Sequence, residues 1–252
     1  MGGSRRALPS AQLYETIGAT YAVTRRTEPR IARQIRAALD DARTVVNVGA
    51  GTGSYEPPDV RVVAVESSAV MRSQRPPAAA PCVAATAEAL PFGDQCFDAA
   101  MAVATIHHWS DPVAGLREMR RVARRVVVLT FSLEGLRQFW LTRDYLPELA
   151  GLVGDLPSLA EMAAAIGARI EPVMIPWDCV DGFPEAWWRR PEAYLDEGLR
   201  RGMSIWARLG PGVEARAVTC LRDDLASGRW AERNRELADL DSADLGLRLL
   251  IA

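Results

Sequence analysis

Val45-Val46-Asn47-Val48-Gly49-Ala50-Gly51-Thr52-Gly53 is the stretch whose reading decides the fold. The valine run reads as a buried strand, and glycines at alternate positions break it into a turn. Glycine at that spacing serves a backbone that must adopt positive φ or come close to a ligand. Thirteen positions past Gly53, Glu66 ends a second apolar run, Val62 to Val65. Read as neighbouring parallel strands, the two runs bring turn and carboxylate to the C-terminal edge of an open α/β sheet, where ligands bind. A carboxylate there accepts hydrogen bonds from both hydroxyls of a ribose, so the pair points to an adenosine-type ligand. Taken singly, the glycines make a tight turn and Glu66 a surface carboxylate; their coupling favours binding.

Spacing discriminates between cofactors. The dinucleotide fingerprint G-x-G-x-x-G needs a glycine at position 54, where this chain has Ser54. The G-x-G-x-G spacing found instead resembles the first motif of class I S-adenosylmethionine (SAM)-dependent methyltransferases. Glu66-Ser67-Ser68 with Met71 resembles that family's second motif. Ala87-Glu88-Ala89-Leu90-Pro91-Phe92 with Asp94, Phe97 and Asp98 resembles the third, and His107-His108-Trp109-Ser110-Asp111 the segment after the fourth strand. Four motifs in order over 45–111 match the small-molecule branch called type 11, across roughly half the chain at motif level.

The resemblance implies SAM as cofactor, S-adenosylhomocysteine (SAH) as product, and a cofactor shell of Asn47, Gly49, Ala50, Gly51, Gly53, Glu66, Ser67, Met71, Thr86, Ala87, Glu88, Ala104 and His107. Thr86 stands where relatives often carry an acidic residue near the adenine amino group, and its hydroxyl can accept that N–H. Ala87 would supply a backbone N–H; Glu88 is equally read as a surface cap. Met71 either packs on adenine or fills core. In the family, a Tyr-x-x-x-Arg ahead of the first strand often reaches the methionine carboxylate, which here gives Tyr21 and Arg25. An arginine fork suits a carboxylate, and the alternative is a solvent-facing arginine on an amphipathic helix.

His107 and His108 are the only histidines. Methyl transfer chiefly needs alignment and desolvation, and a base helps when the accepting atom must lose a proton. A histidine titrating near neutrality suits that task, which makes His107 the candidate base. The alternative is that His107-His108-Trp109 shapes the methionine end of the cofactor. His108, Trp109, Trp140, Tyr145 and Trp187 are candidate lining for an apolar acceptor chamber, although tryptophan in such a segment is more often core.

Composition excludes rivals. The 252 residues are 49% hydrophobic, enough for one large α/β core with an inserted cap. A net charge of −2 gives no global attraction for nucleic acid or anionic membrane. All 30 basic residues are arginine, so Schiff-base, P-loop and kinase lysines are excluded. The Ala, Arg, Gly and Pro bias fits a high-GC bacterial genome. Cys82, Cys96, Cys179 and Cys220 form no C-x-x-C pair and no zinc spacing, so reduced core thiols and no metal are expected. An N-terminus without an apolar run, and no apolar run of membrane length, lead to the expectation of a cytoplasmic protein that contacts no membrane.

The fold class implied is α/β: a Rossmann-like, seven-stranded, mostly parallel sheet with an antiparallel last strand, helices on both faces, and a helical cap. The whole chain, 1–252, is read as one domain: N-terminal helices over 10–40, a SAM-binding half over 44–131, cap insertions about 133–165 and 183–238, and a final strand over 245–252. Strands are expected at 44–48, 61–66, 80–84, 97–104, 124–131, 169–176 and 245–252. Two departures from the family stand out. Ser54 to Val60 contains Pro57-Pro58, so the helix that usually follows the glycine turn is cut short or lost. The familiar Pro-Gly-Gly loop before the fifth strand is also missing.

These features lead to the expectation of methyl transfer from SAM to an O, N or C nucleophile of a small molecule, with secondary metabolism as an analogy from the branch. A SAM-binding protein with a non-methylating or structural role is the main alternative, and an NAD-linked oxidoreductase the weaker one.

Overall fold

The computed structural model of the protein describes residues 25–152 and 156–252. Helix α1 (Pro29–Ala38) opens with Pro29 in its first turn, where a missing N–H costs nothing, and Glu28 caps it by accepting the Arg30 N–H at 3.1 Å. Its residues Ile31, Ile35 and Ala38 recur at helical spacing and bury one face against the sheet.

The sheet contains β1 (Thr44–Val48), β2 (Arg61–Val65), β3 (Cys82–Val83), β4 (Phe97–Val103), β5 (Ala123–Phe131), β6 (Arg169–Pro172) and β9 (Leu247–Ile251), in the order β3-β2-β1-β4-β5-β9-β6. Strand β9 runs antiparallel to both of its neighbours, β5 and β6, while the pairs from β3 to β5 are parallel. The near-continuous apolar runs follow from burial on both faces. Val45, Met101, Val127, Leu129 and Leu249 pack on the side of α1 and the cap. Val46, Ala100, Val126, Val128 and Leu250 alternate to the other side. There they meet α3 (Pro112–Val122) and α5 (Leu159–Ile166), through Leu116, Met119, Met162 and Ile166.

Helix α2 (Ala69–Ser73) follows β2, and α4 (Leu133–Gln138) follows β5. The helical segments between Leu141 and Leu152 and between Pro184 and Leu237, with α6 (Pro211–Ala226) the longest, build the cap over the α1 side. Of the segment 133–165, the part from Leu159 onward flanks the sheet as α5 rather than joining the cap. The expected strand 169–176 is also divided. Pro172 ends β6, and the chain leaves the sheet to pair β7 (Ile175–Pro176) with β8 (Ser242–Ala243) in a separate two-stranded sheet. Proline has no N–H to donate, and Pro172 and Pro176 close β6 and β7 respectively. The four cysteines are free, but only Cys179 is buried, so the expected core thiols reduce to one. Among the described residues, no helix is long and apolar enough to cross a membrane.

Strand order reverses between β1 and β4, which opens a crevice at their C-terminal ends. Gly49 follows β1 there and Ala104 follows β4.

Candidate cofactor and acceptor site

The crevice is built first from backbone. The N–H groups of Gly49 and Ala50 both donate to the Val65 carbonyl, at 2.8 and 3.0 Å, and tie the turn to the end of β2. Gly49 has φ +69°, and a Cβ there would lie 2.2 Å from Thr105 Oγ1. No side chain fits that position. Glu66, buried at the tip of β2, accepts the Gly51 N–H and the Ser68 N–H, each at 2.8 Å. Arg72 donates to the Glu66 and Ser67 carbonyls at 2.8 Å and fixes the same corner from α2.

A cavity of about 440 Å³ opens over this corner. Asn47, Gly49, Ala50 and Gly51 line it from the turn, and Glu66, Ser67 and Met71 from the end of β2. Thr86, Ala87 and Glu88 form the side after β3; Ala104, His108 and Trp109 close the end after β4. Arg25 reaches in from ahead of α1. Gly53 is not on the wall. A Cβ at that position would meet the side chains of Glu56 and Arg75. Tyr21 lies outside the described residues. Trp109 is seated on Gly115 of α3, where a Cβ would come within 2.5 Å of its ring.

Glu88 accepts the Ser110 N–H and hydroxyl at 2.8 Å and the Asp111 N–H at 3.1 Å. Burial works to raise its carboxyl, but these bonds and one from the Thr86 hydroxyl outweigh it and hold the pKa below its ordinary value. Glu88 therefore joins the loop after β3 to the start of α3 while also lining the cavity.

No helix follows the glycine turn. A buried ion pair takes over its bracing: Arg75 Nη2 meets Glu56 Oε1 at 2.7 Å, with side-chain exposures of 5% and 10%. Arg75 also donates to the Gly51 carbonyl at 3.1 Å, and Glu56 accepts from Asn47 Nδ2 at 3.2 Å. Burial of both partners makes the pair structurally demanding as well as attractive.

Asp181, only 1% exposed, ties three regions together. It accepts Arg25 Nε at 2.8 Å and Nη2 at 3.2 Å, the Arg26 N–H at 3.2 Å, the Tyr55 hydroxyl at 2.8 Å and the Gly182 N–H at 2.7 Å. Arg25 is thus held from the cap while it faces the cavity, rather than pointing to solvent.

A second cavity of about 100 Å³ adjoins the first, and Arg25 and Ala104 line both. Phe131, Leu136, Phe183, Met203 and Ile205 make it apolar, and His107 and Glu185 add polar groups. Ala104, between the cavities, has φ +50°, an uncommon setting for a residue with a side chain. His107 belongs to the second cavity and His108 to the first, their ring centroids 3.8 Å apart. The exposed part of His107 looks onto its cavity, yet burial, aided by the charges of Arg208 and Arg25, pushes its pKa down to about 4. Burial, His107 and the same arginines push His108 well below its ordinary value. Both imidazoles are neutral at neutral pH, and His107 is a weaker base than the near-neutral one expected from sequence.

Three expected pocket residues are elsewhere. Trp140 is 2% exposed inside the cap, donates its indole N–H to the Trp188 carbonyl at 2.8 Å, and packs edge-on against Tyr145, Tyr194 and Trp230. The Tyr145 hydroxyl bonds Asp224 at 2.8 Å. Trp187 is part-buried against the same core, beneath the Arg190 guanidinium. These rings hold the cap together; they do not line either cavity. Sequence reading passed over Tyr55, Glu56, Arg75, Asp181 and Glu185. Pro57-Pro58 signalled that the glycine turn needed another brace, but nothing marked Arg75 as its partner. Asp181-Gly182 reads as an ordinary turn.

Comparison with known proteins gives the same picture. The type 11 family model described as a methyltransferase domain matches residues 46–131. A protein of Anabaena variabilis ATCC 29413, described as a candidate methyltransferase from an antibiotic biosynthesis pathway, is 30% identical. The match covers 91% of this chain and 98% of that one, with a TM-score of 0.82. The [4+2]-cyclase SpnF is 18% identical over 100% of this chain and 98% of its own, with a TM-score of 0.53. YcgJ of Bacillus subtilis is 20% identical over 88% and 96%, with a TM-score of 0.51. The last two share the fold. No protein of curated function matches by sequence. With the glycine turn, the reversed strand order and the Anabaena relative in agreement, the chain belongs to the class I SAM-dependent methyltransferases.

Proposed function

We propose that the protein transfers the methyl group of SAM to an O, N or C nucleophile of a small molecule held in the second cavity. The observation that carries this reading is the shared wall: Arg25 and Ala104 line both cavities, so occupants of the two would meet there. The first cavity fits SAM by its chemistry. It offers a carboxylate at the tip of β2 for ribose hydroxyls, a turn whose Gly49 admits no Cβ, and an arginine for a carboxylate. The Thr86 hydroxyl donates to Glu88 and keeps its lone pairs for the adenine amino group. When bound, SAM supplies an electrophilic methyl group on a sulfonium.

The remaining work belongs to the chain. The apolar wall of the second cavity excludes water from the nucleophile, and the shared wall at Ala104 aligns it. His107, neutral on that wall, accepts a hydrogen bond and orients an acceptor hydroxyl or amine. The acceptor cavity is small and apolar, which favours a small metabolite, including one of secondary metabolism, over nucleic acid. Free cysteines suit a reducing, cytoplasmic setting, and the arginine-only basic set a bacterial one.

The test is calorimetric titration with SAM, SAH and NADH, followed by methyl incorporation into candidate acceptors. Binding of SAM and SAH but not NADH is expected. Glu66→Gln should weaken both by about 30-fold, the loss of charge-assisted hydrogen bonds worth about 2 kcal/mol. Folded protein that binds neither ligand, or binds both unchanged in the variant, would remove the reading's support.

A further inference from the structure

Glu185 stands on the wall of the second cavity in the helical turn Pro184–Trp187. It is 2% exposed, and its Oε2 has no hydrogen-bond partner. Phe131, Phe183, Met203 and Ile205 on that wall have no side-chain donor, and Thr130, Ser132 and His107, which do, make no bond to this oxygen. Tyr194 is close enough to feel its charge, but the Tyr194 hydroxyl donates to the Pro184 carbonyl. Arg25, the cation on the same wall, holds Asp181 with two hydrogen bonds. Among the described residues, Glu185 forms no ion pair. Burial pushes its carboxyl up to about 7.

A buried carboxyl oxygen without a partner is uncommon in a native fold and asks for one. A structural role would have matched it with an arginine, as happens at Asp181, Glu56 and Glu28. Instead the unmatched oxygen belongs to a residue that lines a cavity sized for a small ligand, just beneath its wall. An anionic ligand would be repelled there, and a neutral hydroxyl would give one bond without balancing charge. An ammonium supplies both.

We propose that Glu185 recognises the acceptor, selecting a small apolar molecule that carries a basic amine whose N–H groups bond the buried carboxylate. This rests on the second cavity being the acceptor site.

The experiment compares benzylamine with benzyl alcohol, matched in shape, by calorimetric titration of the SAH-loaded protein. Benzylamine is expected to bind at least tenfold more tightly, and Glu185→Gln and Glu185→Leu to abolish that preference. Removing an unmatched buried carboxyl should also raise Tm in both variants, by roughly 2–4 °C. Equal binding of the two probes, absence of benzylamine binding, a preference retained in the variants, or a fall in Tm overturns the proposal. SAH titration is read separately. If SAH fails to bind, the methyltransferase reading falls, while benzylamine titration of the unloaded protein still decides the role of Glu185.

Discussion

The two cavities share Arg25 and Ala104 but are made by opposite means. The larger one is formed by backbone at the ends of β1, β2 and β4, with Gly49, Gly51 and Glu66 in fixed relation. The smaller one is assembled from side chains distant in sequence, such as Phe131, Phe183, Glu185 and Met203. A site made of backbone tolerates few changes of residue, whereas a site made of side chains can be rebuilt without disturbing the sheet. That difference explains how one scaffold keeps a cofactor while its acceptors diverge.

The sharpest way to break this contrast is Gly49→Ala. Left-handed backbone at 49 and the clash with Thr105 together should destabilise the fold by about 4 kcal/mol and abolish SAM binding. Urea unfolding and calorimetry would read both, and Thr105→Gly in the same chain should recover part of the loss. An unchanged unfolding midpoint would show that the turn is softer than its geometry implies.

Asp181→Ala tests whether the cavities are energetically separate. Five donors, among them Arg25 and Tyr55, lose a buried acceptor, and a loss of about 3 kcal/mol is expected. Because Arg25 faces both cavities, SAM affinity and acceptor KM should worsen together. A change in only one would place Asp181 with that cavity alone.

The smallest effect concerns pH. Folded His107 has a pKa of about 4 against an ordinary 6.5, so the unfolded chain takes up the proton first as acidity rises. Stability contributed by keeping the ring neutral is present above pH 6.5 and is lost as pH falls toward 4. With the ring partly open to its cavity, the loss is about 2 kcal/mol. The stability–pH slope of His107→Gln, measured by urea unfolding over that interval, should be shallower than that of the parent protein. Parallel slopes would mean that the ring is well solvated.

The same contrast governs what could be read before the structure. The strands were legible because burial on both faces writes uninterrupted valine and leucine runs, as in Val126 to Leu129. The glycine turn was legible because a backbone conformation selects a residue type. Trp140 and Tyr145 misled because an aromatic ring has the same signature in a packed cap and on a pocket wall. Asp181 and Glu185 were silent: a lone acidic residue gains meaning only from partners more than a hundred residues away, such as Tyr55, or from the lack of any. The strand expected over 169–176 overran because the apolar pattern continues through Ile175, while the last bond to β9 is from Val173 to Leu247 and Ile175 pairs with Ala243 instead.

The Arg75–Glu56 pair carries a consequence for the surroundings in which the cofactor turn keeps its shape. Exposed charges more than about 8 Å apart are screened at physiological ionic strength, but a pair removed from solvent hardly senses added salt. With exposures of 5% and 10%, this brace lies out of reach of mobile ions. The turn should therefore hold its geometry in strong brine, where the outlying surface bridges, such as Arg36 with Asp59, fade.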